Sequence, residues 1–368
     1  MEKKRVGIIT FNCAYNYGSA LQAYALQTYL ELQGFNVKII NYRLTRDFRQ
    51  YKLFRTDQYL EYPRAFLSDI VHLKGHIKRK RSFENFWNST FKLTNKIFYD
   101  KDDMTCLNQD FDVFICGSDQ IWNLDCTGGI VPAYFLSFAA EDKLKIAYAP
   151  SIAHNKFSVS WKGDIKDLLD RFNYISVRER STIPVFQEFT NNNIENTIDP
   201  TLLLDASRYD SILSLDEDIG EYIFVYILED NQEIIEYCNL LAIKKNLKII
   251  YIHHKDLRNM RNAHNMYGVS PGTFLSLIKN ANYVITNSFH ATVFSILYEK
   301  MFVSYATEKS GARVLDLSDS LKLSNRIYRK GFNIDFPIDY EGVEQGLEHL
   351  RLSSKKFLNN ALSYNNGN

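Results

Sequence analysis

A histidine with small polar residues nearby occurs in the segment 287–294, Asn-Ser-Phe-His-Ala-Thr-Val-Phe. The β-rich run Tyr283–Thr286 precedes it, and residues 291–300 carry apolar side chains at helical spacing. His290 is therefore expected where a strand turns into a helix, with Ser288 as the helix cap. Such turns lie at the ligand-binding edge of open α/β sheets, where helix N–H groups attract anions and imidazole exchanges protons near neutral pH. Taken alone, the pattern is equally typical of a plain cap beside a buried, hydrogen-bonded histidine.

A second polar turn, residues 12–19, lies between a predicted strand at 6–11 and a predicted helix at 18–33. Backbone N–H groups at the start of that helix are suited to hold a phosphate or carboxylate. The turn lacks the Gly-x-Gly-x-x-Gly pattern, so a dinucleotide site is not expected. The candidate binding residues of this turn are Asn16, Tyr17, Gly18 and Ser19. The alternative is a tight turn without a ligand.

A third polar turn, residues 117–123, follows a predicted strand at 111–116 and combines polar side chains with an indole. This combination suits sugar binding, because a ring can stack while polar groups fix the orientation. The alternative is that Asp119 caps the next helix and Trp122 belongs to the core. The candidate residues of this turn are Ser118, Asp119, Gln120, Trp122 and Asn123.

Three cations follow predicted strands. Arg178 comes directly after Tyr174–Val177, where a guanidinium fork suits bidentate contact with a carboxylate or phosphate. Lys309 and Arg313 follow a predicted strand at 302–305, next in the chain after the His290 helix, so an anion pocket is plausible there. The alternative is that these cations are solvated surface charges.

The blocks at residues 15–25, 115–123 and 287–294 agree in order and spacing with the polysaccharide pyruvyl transferase family, which this chain resembles. The resemblance implies a glycosyltransferase-B fold and phosphoenolpyruvate as donor. It implies as product a cyclic pyruvate ketal on two hydroxyls of a sugar in a surface glycan or its lipid-diphosphate-linked precursor, with release of phosphate. No cofactor is implied besides that donor.

The resemblance also implies residue roles. The family has an arginine directly after the strand that ends here at Val177, which Arg178 matches, and a functional lysine at about the position of Lys309. We therefore expect His290 to be a general acid or base, with Arg178 and Lys309 as further catalytic residues. The expected substrate-binding residues are those of the two N-terminal polar turns together with Asn287, Ser288 and Arg313.

The alternation of strands and helices predicts an α/β protein with two Rossmann-like domains facing a cleft, glycosyltransferase-B-like. We expect an N-terminal domain at 1–200 on the acceptor side and a C-terminal domain at 205–335 on the donor side. A helical segment at 337–368 is expected to pack back on the first domain, by analogy with the fold.

The 368 residues, 45% hydrophobic and 24% charged, are typical of a soluble globular protein. A formal net charge of +1 excludes a globally basic nucleic-acid binder, and no apolar run approaches the roughly 18 residues that span a bilayer. The chain start is expected to be a first strand rather than a signal peptide. The five cysteines form no metal or redox motif, so we expect reduced thiols in a cytoplasmic protein without a metal site.

Residues 43–101 are rich in Lys, Arg and aromatic side chains. They are expected to be an insertion of the first domain. Such an insertion suits contact with an anionic membrane surface, here the inner face of the membrane, or with a diphosphate-bearing acceptor. The favoured alternative is a solvated helical insertion whose aromatic residues pack on the parent domain.

Two other functions are compatible with the same fold. A glycosyltransferase using a nucleotide sugar would need an acidic pair in the second domain, and Glu299 and Glu308 lack the spacing expected for one. A non-catalytic glycan-binding protein would have no use for His290, Arg178 and a nearby lysine.

Overall fold

A computed structural model of the chain describes residues 3–45, 63–100, 102–152, 162–215, 218–229, 231–257, 259–307 and 311–363. The chain divides into two compact units. Unit 1 comprises Met1–Gln50, Thr90–Leu204 and Gly346–Asn368, and unit 2 comprises Tyr51–Ser89 and Asp205–Gln345.

Unit 1 contains a six-stranded sheet in which every neighbouring pair of strands is parallel. Its central strands are almost wholly apolar and buried, as expected of a parallel sheet covered on both faces. The strands of unit 1 are β1 (Arg5–Ile9), β2 (Asn36–Ile39), β3 (Tyr42–Arg43), β4 (Phe98–Tyr99), β5 (Val113–Cys116), β6 (Leu144–Ala147), β7 (Tyr174–Val177) and β8 (Ile194–Asn196). The strand order in the large sheet is β2-β1-β5-β6-β7-β8, and a separate two-stranded sheet pairs β3 with β4.

The helices of unit 1 begin with α1 (Tyr17–Leu32), which Asn16 caps by accepting a hydrogen bond from the Ser19 N–H. The helix ends just before Gly34, whose φ of +90° favours glycine. The backbone leaves β2 after Ile39 and pairs with β4 from Tyr42, so the chain forms two short strands in succession here. The other helices that belong wholly to unit 1 are α3 (Leu124–Thr127), α4 (Lys162–Asp170) and α5 (Ile183–Gln187).

Unit 2 contains a five-stranded parallel sheet. Its strands are β9 (Tyr222–Tyr226), β10 (Lys248–Ile252), β11 (Ala263–Asn265), β12 (Tyr283–Thr286) and β13 (Met301–Ser304). They lie in the order β11-β10-β9-β12-β13, and the central strand β9 is buried along its whole length. The helices are α6 (Gln232–Lys245), α7 (Pro271–Lys279), α8 (Phe289–Leu297) and α9 (Gly311–Ser320).

The long helix α2 (Pro63–Thr90) corrects the expectation that the whole insertion belongs to the first domain, since its residues up to Ser89 group with unit 2. Gly75 lies so close to Tyr267 that a Cβ atom on Gly75 would be 2.9 Å from that ring. The guanidinium of Arg79 lies 5.9 Å from the centre of the same ring. Three aromatic side chains of α2 are buried: Phe83, Phe86 and Trp87.

The last helix, α10 (Tyr340–Ser363), contributes its residues from Gly346 onward to unit 1. The Arg351 side chain is buried and its Nε donates to the Leu202 carbonyl at 2.8 Å. The Ser354 hydroxyl accepts a hydrogen bond from the Ile198 N–H at 3.0 Å. The C-terminal helix is thus part of the packing of the N-terminal Rossmann-like unit.

Candidate active site

Each of the two large sheets has one topological switch point, a pair of adjacent strands whose following connections run in opposite directions along the sheet. In unit 1 this point lies between the adjacent strands β1 and β5, and in unit 2 between β9 and β12. Ligands of open α/β sheets bind at the carboxyl ends of strands at such switch points. The polar turns at 12–19 and 117–123 follow the first pair, and the turn with His290 follows the second. The topology therefore places the sequence-predicted turns where ligands bind.

In unit 1 the two polar turns are joined by a direct hydrogen bond. The Ser19 hydroxyl donates to Asp119 Oδ2 at 2.6 Å, and both side chains are buried. Gln22 adds a second connection, because its Nε2 donates to Thr10 Oγ1 at 2.9 Å and its Oε1 accepts from the Ser118 N–H at 3.1 Å. The structure thus brings together Asn16, Tyr17, Gly18, Ser19, Ser118 and Asp119 at one edge of unit 1.

The backbone of the 117–123 turn depends on Gly117. Its φ of +114° is unfavourable for other residues, and a Cβ atom would lie 2.1 Å from the Tyr148 carbonyl oxygen. After this close approach the Ser118 hydroxyl donates to the Ala149 carbonyl at 2.6 Å. The turn is therefore held against the backbone that follows β6, and Asp119 is fixed in direction.

Arg178 lies at the end of β7 among three carboxylates. Its Nη1 donates to Asp199 Oδ2 at 2.7 Å and its Nε donates to Glu179 Oε1 at 3.0 Å. Its Nη2 lies 3.9 Å from Asp119 Oδ1, which is too long for a hydrogen bond. Only 3% of the Arg178 side chain is exposed. The surface-charge alternative for Arg178 is therefore wrong.

The pKa of Arg178 reflects two opposing influences. Burial lowers the pKa of the guanidinium, but the charges of Glu179, Asp199 and Asp119 outweigh burial, so the pKa is raised above its ordinary value. Arg178 is therefore a permanent cation. Three carboxylates lie around this one guanidinium, so the cluster carries more negative than positive charge.

A bidentate contact between Arg178 and a substrate anion stays a prediction, and the contacts in this structure are with the protein. Two nitrogens of the guanidinium fork already donate to protein carboxylates. Sequence reasoning also missed Glu179 and Asp199 as members of the cluster. The signal was available, since Glu179 is the second residue after β7 and Asp199 comes three residues after β8, and both therefore lie at the same edge as Arg178.

Trp122 requires a further correction. Its side chain is fully buried, stacks on Phe135 at 5.0 Å between ring centres and donates its indole N–H to the Tyr134 carbonyl at 3.0 Å. An indole enclosed in this way cannot stack on a sugar, so the core alternative is correct. Asn123 caps α3 and its Nδ2 donates to Gln120 Oε1 at 2.7 Å. These two polar residues therefore stabilise the turn.

In unit 2 the predicted strand, cap and helix around His290 are confirmed as β12, Ser288 and α8. Ser288 Oγ accepts from the Ala291 N–H at 3.4 Å. Asn287 connects the two loops of the switch point, because its Oδ1 accepts from the Leu228 N–H at 2.7 Å and its Nδ2 donates to the Glu229 carbonyl at 3.0 Å. The loop after β9 and the turn with His290 are thus held together.

His290 is the second residue of α8 and only 6% exposed. The Phe289 ring meets the imidazole edge to face at 5.1 Å between centres, and the Arg313 guanidinium lies 5.7 Å from the same phenyl ring. The structure therefore groups Asn287, Ser288, His290 and Arg313 at the switch point of unit 2. Lys309 lies outside the described residues.

Within the described ranges, the chain has no group of three or more His, Cys, Asp or Glu side chains arranged to hold a metal ion. The helices that the structure describes include none with the length and hydropathy to cross a bilayer.

The fold has structural relatives among UDP-N-acetylglucosamine 2-epimerases. The putative enzyme from Listeria monocytogenes aligns with a TM-score of 0.52 at 10% identity over 100% of this chain and 92% of that chain. The enzyme from Rickettsia bellii gives 0.52 at 12% identity over 99% and 97%. The enzyme from Methanocaldococcus jannaschii gives 0.51 at 10% identity over 98% and 100%. At these identities the likeness establishes the fold alone.

The two Rossmann-like units define an α/β protein of the glycosyltransferase-B fold, which confirms the predicted fold class. The family model for polysaccharide pyruvyl transferases matches residues 16–309. The chain belongs to the polysaccharide pyruvyl transferase family, and this membership supports a pyruvyltransferase that acts on polysaccharide. A search of curated proteins returned no significant match.

Proposed function

We propose that the protein transfers the pyruvyl group of phosphoenolpyruvate to two hydroxyls of one sugar in a polysaccharide or its lipid-linked precursor. The observation that carries the proposal is His290 at the unit 2 switch point, inside the matched family region, with Arg313 close by. The products are a cyclic pyruvate ketal and inorganic phosphate.

The reaction requires protons to move in a defined way. The methylene carbon of phosphoenolpyruvate gains one proton and becomes a methyl group. One sugar hydroxyl attacks the adjacent carbon, the C–O bond to phosphate breaks, and the second hydroxyl closes the ring. The two hydroxyl protons balance the proton added to the methylene group and the one that leaves on phosphate.

We assign proton exchange with the donor to His290, because imidazole can give and accept protons near neutral pH. Phosphoenolpyruvate is compact and strongly negative. Arg313 and the N–H groups at the start of α8 supply positive potential in unit 2, and we propose Lys309 as a further cation there.

We assign the acceptor sugar to unit 1, where carboxylates outnumber cations around Arg178. Such an edge suits hydroxyl donors better than an anionic donor substrate. In this proposal Asp119 accepts a hydrogen bond from an acceptor hydroxyl, and Arg178 is a positioning residue that holds Asp119 and Asp199 in place.

The structural likeness to UDP-N-acetylglucosamine 2-epimerases favours one second candidate, an enzyme that binds a nucleotide sugar. Thermal unfolding discriminates between the two, because a ligand that binds only the folded state raises its stability. Phosphoenolpyruvate raises Tm under the first proposal, and UDP-N-acetylglucosamine raises it under the second.

The direct test is phosphate release from phosphoenolpyruvate with a panel of synthetic and lipid-linked galactosides and N-acetylmannosaminides. We expect acceptor-dependent release by the wild type and a loss of about 10²–10⁴-fold in His290→Ala. His264→Ala, which removes an exposed histidine of β11, is the matched control and retains activity. Absence of release with every acceptor, together with absence of phosphoenolpyruvate binding by calorimetry, would contradict the donor assignment.

A further inference from the structure

A pocket of about 370 Å³ lies in unit 1 beside the polar turns. This volume is within the range of about 300–1,000 Å³ that is usual for small-molecule sites. We call it the tyrosine pocket, and the lining residues that carry the argument are Tyr42, Tyr99, Asp100, Asp102, Ser137 and Phe138.

The tyrosine pocket is at the same edge of unit 1 as the candidate site. Tyr42 lies beyond the carboxyl end of β2, and its carbonyl accepts a weak hydrogen bond from Cys13 Sγ at 3.7 Å, within the turn that follows β1. On the other side, Asn123 of the 117–123 turn caps α3, and Thr127 at the end of α3 lines the pocket. Both polar turns of the switch point are thus in direct contact with the pocket walls.

The tyrosine pocket offers the exposed aromatic ring for sugar stacking that was expected of Trp122. Tyr99 is 42% exposed, and Phe138 is partly exposed beside the buried Tyr42. An aromatic face of this kind packs on the apolar face of a pyranose ring. Trp122 contributes indirectly, because its indole N–H holds Tyr134, whose ring packs against Tyr42 at 5.3 Å.

The charged groups among the described lining residues are both carboxylates. Asp100 is held by the Tyr42 hydroxyl at 3.1 Å and by the Thr45 N–H, and Asp102 Oδ2 accepts from the Tyr99 N–H at 2.7 Å. A carboxylate offers about four lone-pair positions, so both can still accept from ligand hydroxyls. Ordered carboxylates beside an aromatic face favour an uncharged sugar and oppose an anionic one.

A larger cavity of about 500 Å³ in unit 1 does not share this position. It is lined by Arg5 and Asn36, the first residues of β1 and β2, and therefore lies at the opposite edge of the sheet.

We infer that the tyrosine pocket is a subsite for an uncharged sugar unit of the acceptor glycan, next to the unit that receives pyruvate. This inference rests on the proposed function and extends it, because it names the acceptor as at least a disaccharide with a neutral neighbouring residue.

The test compares acceptors of one and two sugar units. The probes are methyl β-galactoside against methyl β-lactoside, and methyl β-N-acetylmannosaminide against its β1,4-linked disaccharide with N-acetylglucosamine. Two quantities are measured: saturation transfer by NMR to each disaccharide without phosphoenolpyruvate, and the ratio of kcat/KM for disaccharide over monosaccharide in phosphate release. The variants are Tyr99→Ala, Tyr99→Phe and Asp102→Asn, with Asp142→Asn at an exposed carboxylate of unit 1 as the charge control.

We expect the wild type to prefer one disaccharide by roughly tenfold, the equivalent of about 1.4 kcal/mol. Tyr99→Ala and Asp102→Asn bring the ratio close to one, whereas Tyr99→Phe and Asp142→Asn preserve it. A lactoside analogue with glucuronate in place of glucose should bind less well to the wild type, and Asp102→Asn should reduce that difference.

Failure of the two proposals gives different results. Phosphate release with a disaccharide preference that is insensitive to Tyr99→Ala and Asp102→Asn would overturn the subsite and leave the proposed function intact. Saturation transfer that depends on Tyr99, without phosphate release from any acceptor, would support a sugar site and contradict pyruvyl transfer. Absence of saturation transfer from the folded wild type to both disaccharides would also overturn the subsite.

Discussion

The switch points of the two units have the same topology and opposite chemistry. In unit 1 a hydrogen bond between Ser19 and Asp119 joins the two loops, and carboxylates surround a buried guanidinium. In unit 2 the side chain of Asn287 joins the two loops, and His290 and Arg313 both lie beside the Phe289 ring. The fold supplies two equivalent strand edges, and the residue types at each edge decide which substrate it suits.

Some residues at the two switch points hold the loops in place, and others are expected to take part in the reaction. Arg178 was expected to contact an anion, yet its contacts in unit 1 are with protein carboxylates. The backbone on either side of His290 is fixed by the cap at Ser288 and by the loop contacts of Asn287. We therefore expect Arg178 to stabilise unit 1, and we propose His290 as the residue that exchanges protons with the donor.

Removal of the buried guanidinium should have the largest effect on stability. In Arg178→Ala, Glu179 and Asp199 lose their cation in a buried environment, so we expect the free energy of unfolding to fall by about 3–5 kcal/mol. The control is Arg5→Ala, which breaks a half-exposed pair with Asp112 and should cost about 1 kcal/mol or less. Urea unfolding measures both, and equal losses would contradict the structural role of Arg178.

The loop connection in unit 2 should have an intermediate effect. Asn287→Ala leaves the Leu228 N–H and the Glu229 carbonyl without their partner, which we expect to cost about 1–3 kcal/mol. Asn239→Ala is the matched control, since Asn239 also bridges two backbone groups but at positions where water can replace it. A loss in Asn287→Ala no greater than in Asn239→Ala would show that the switch-point loops do not depend on this side chain.

The half-exposed pair Arg5–Asp112 should show the smallest effect on stability, and that effect should depend on pH. The hydrogen bond from Arg5 lowers the pKa of Asp112 below its usual value. A carboxyl with a lowered folded-state pKa stabilises the protein above its unfolded pKa, and this contribution is lost as pH falls through the folded pKa.

Asp112→Asn should therefore lower stability by less than about 1 kcal/mol near pH 7, with the difference from wild type shrinking as pH falls through the folded-state pKa. Unfolding curves at neutral pH and at a series of acidic pH values measure this. A stability difference between wild type and Asp112→Asn that grows as pH falls would contradict the stabilising effect of the ionised Asp112.

Local patterns were sufficient to predict part of this molecule. The strand Tyr283–Thr286, the cap at Ser288 and the following helix were predicted correctly because periodicity and capping depend on neighbouring residues. The burial of Trp122 depends on Phe135 and Phe172, which are distant in sequence, so it was predicted wrongly. Asp199 was missed for the same reason, since its partner Arg178 is 21 residues away.

The central claim is that His290 gives a proton to the methylene carbon of phosphoenolpyruvate during pyruvyl transfer. The most direct measurement is the reaction in D₂O, with the product analysed by ¹H and ¹³C NMR and phosphate quantified in parallel. We expect a ketal methyl group carrying one deuterium, formed in equal amount with phosphate, and loss of both products in His290→Ala. A ketal formed at the wild-type rate by His290→Ala, or phosphate released without a ketal methyl group, would contradict it.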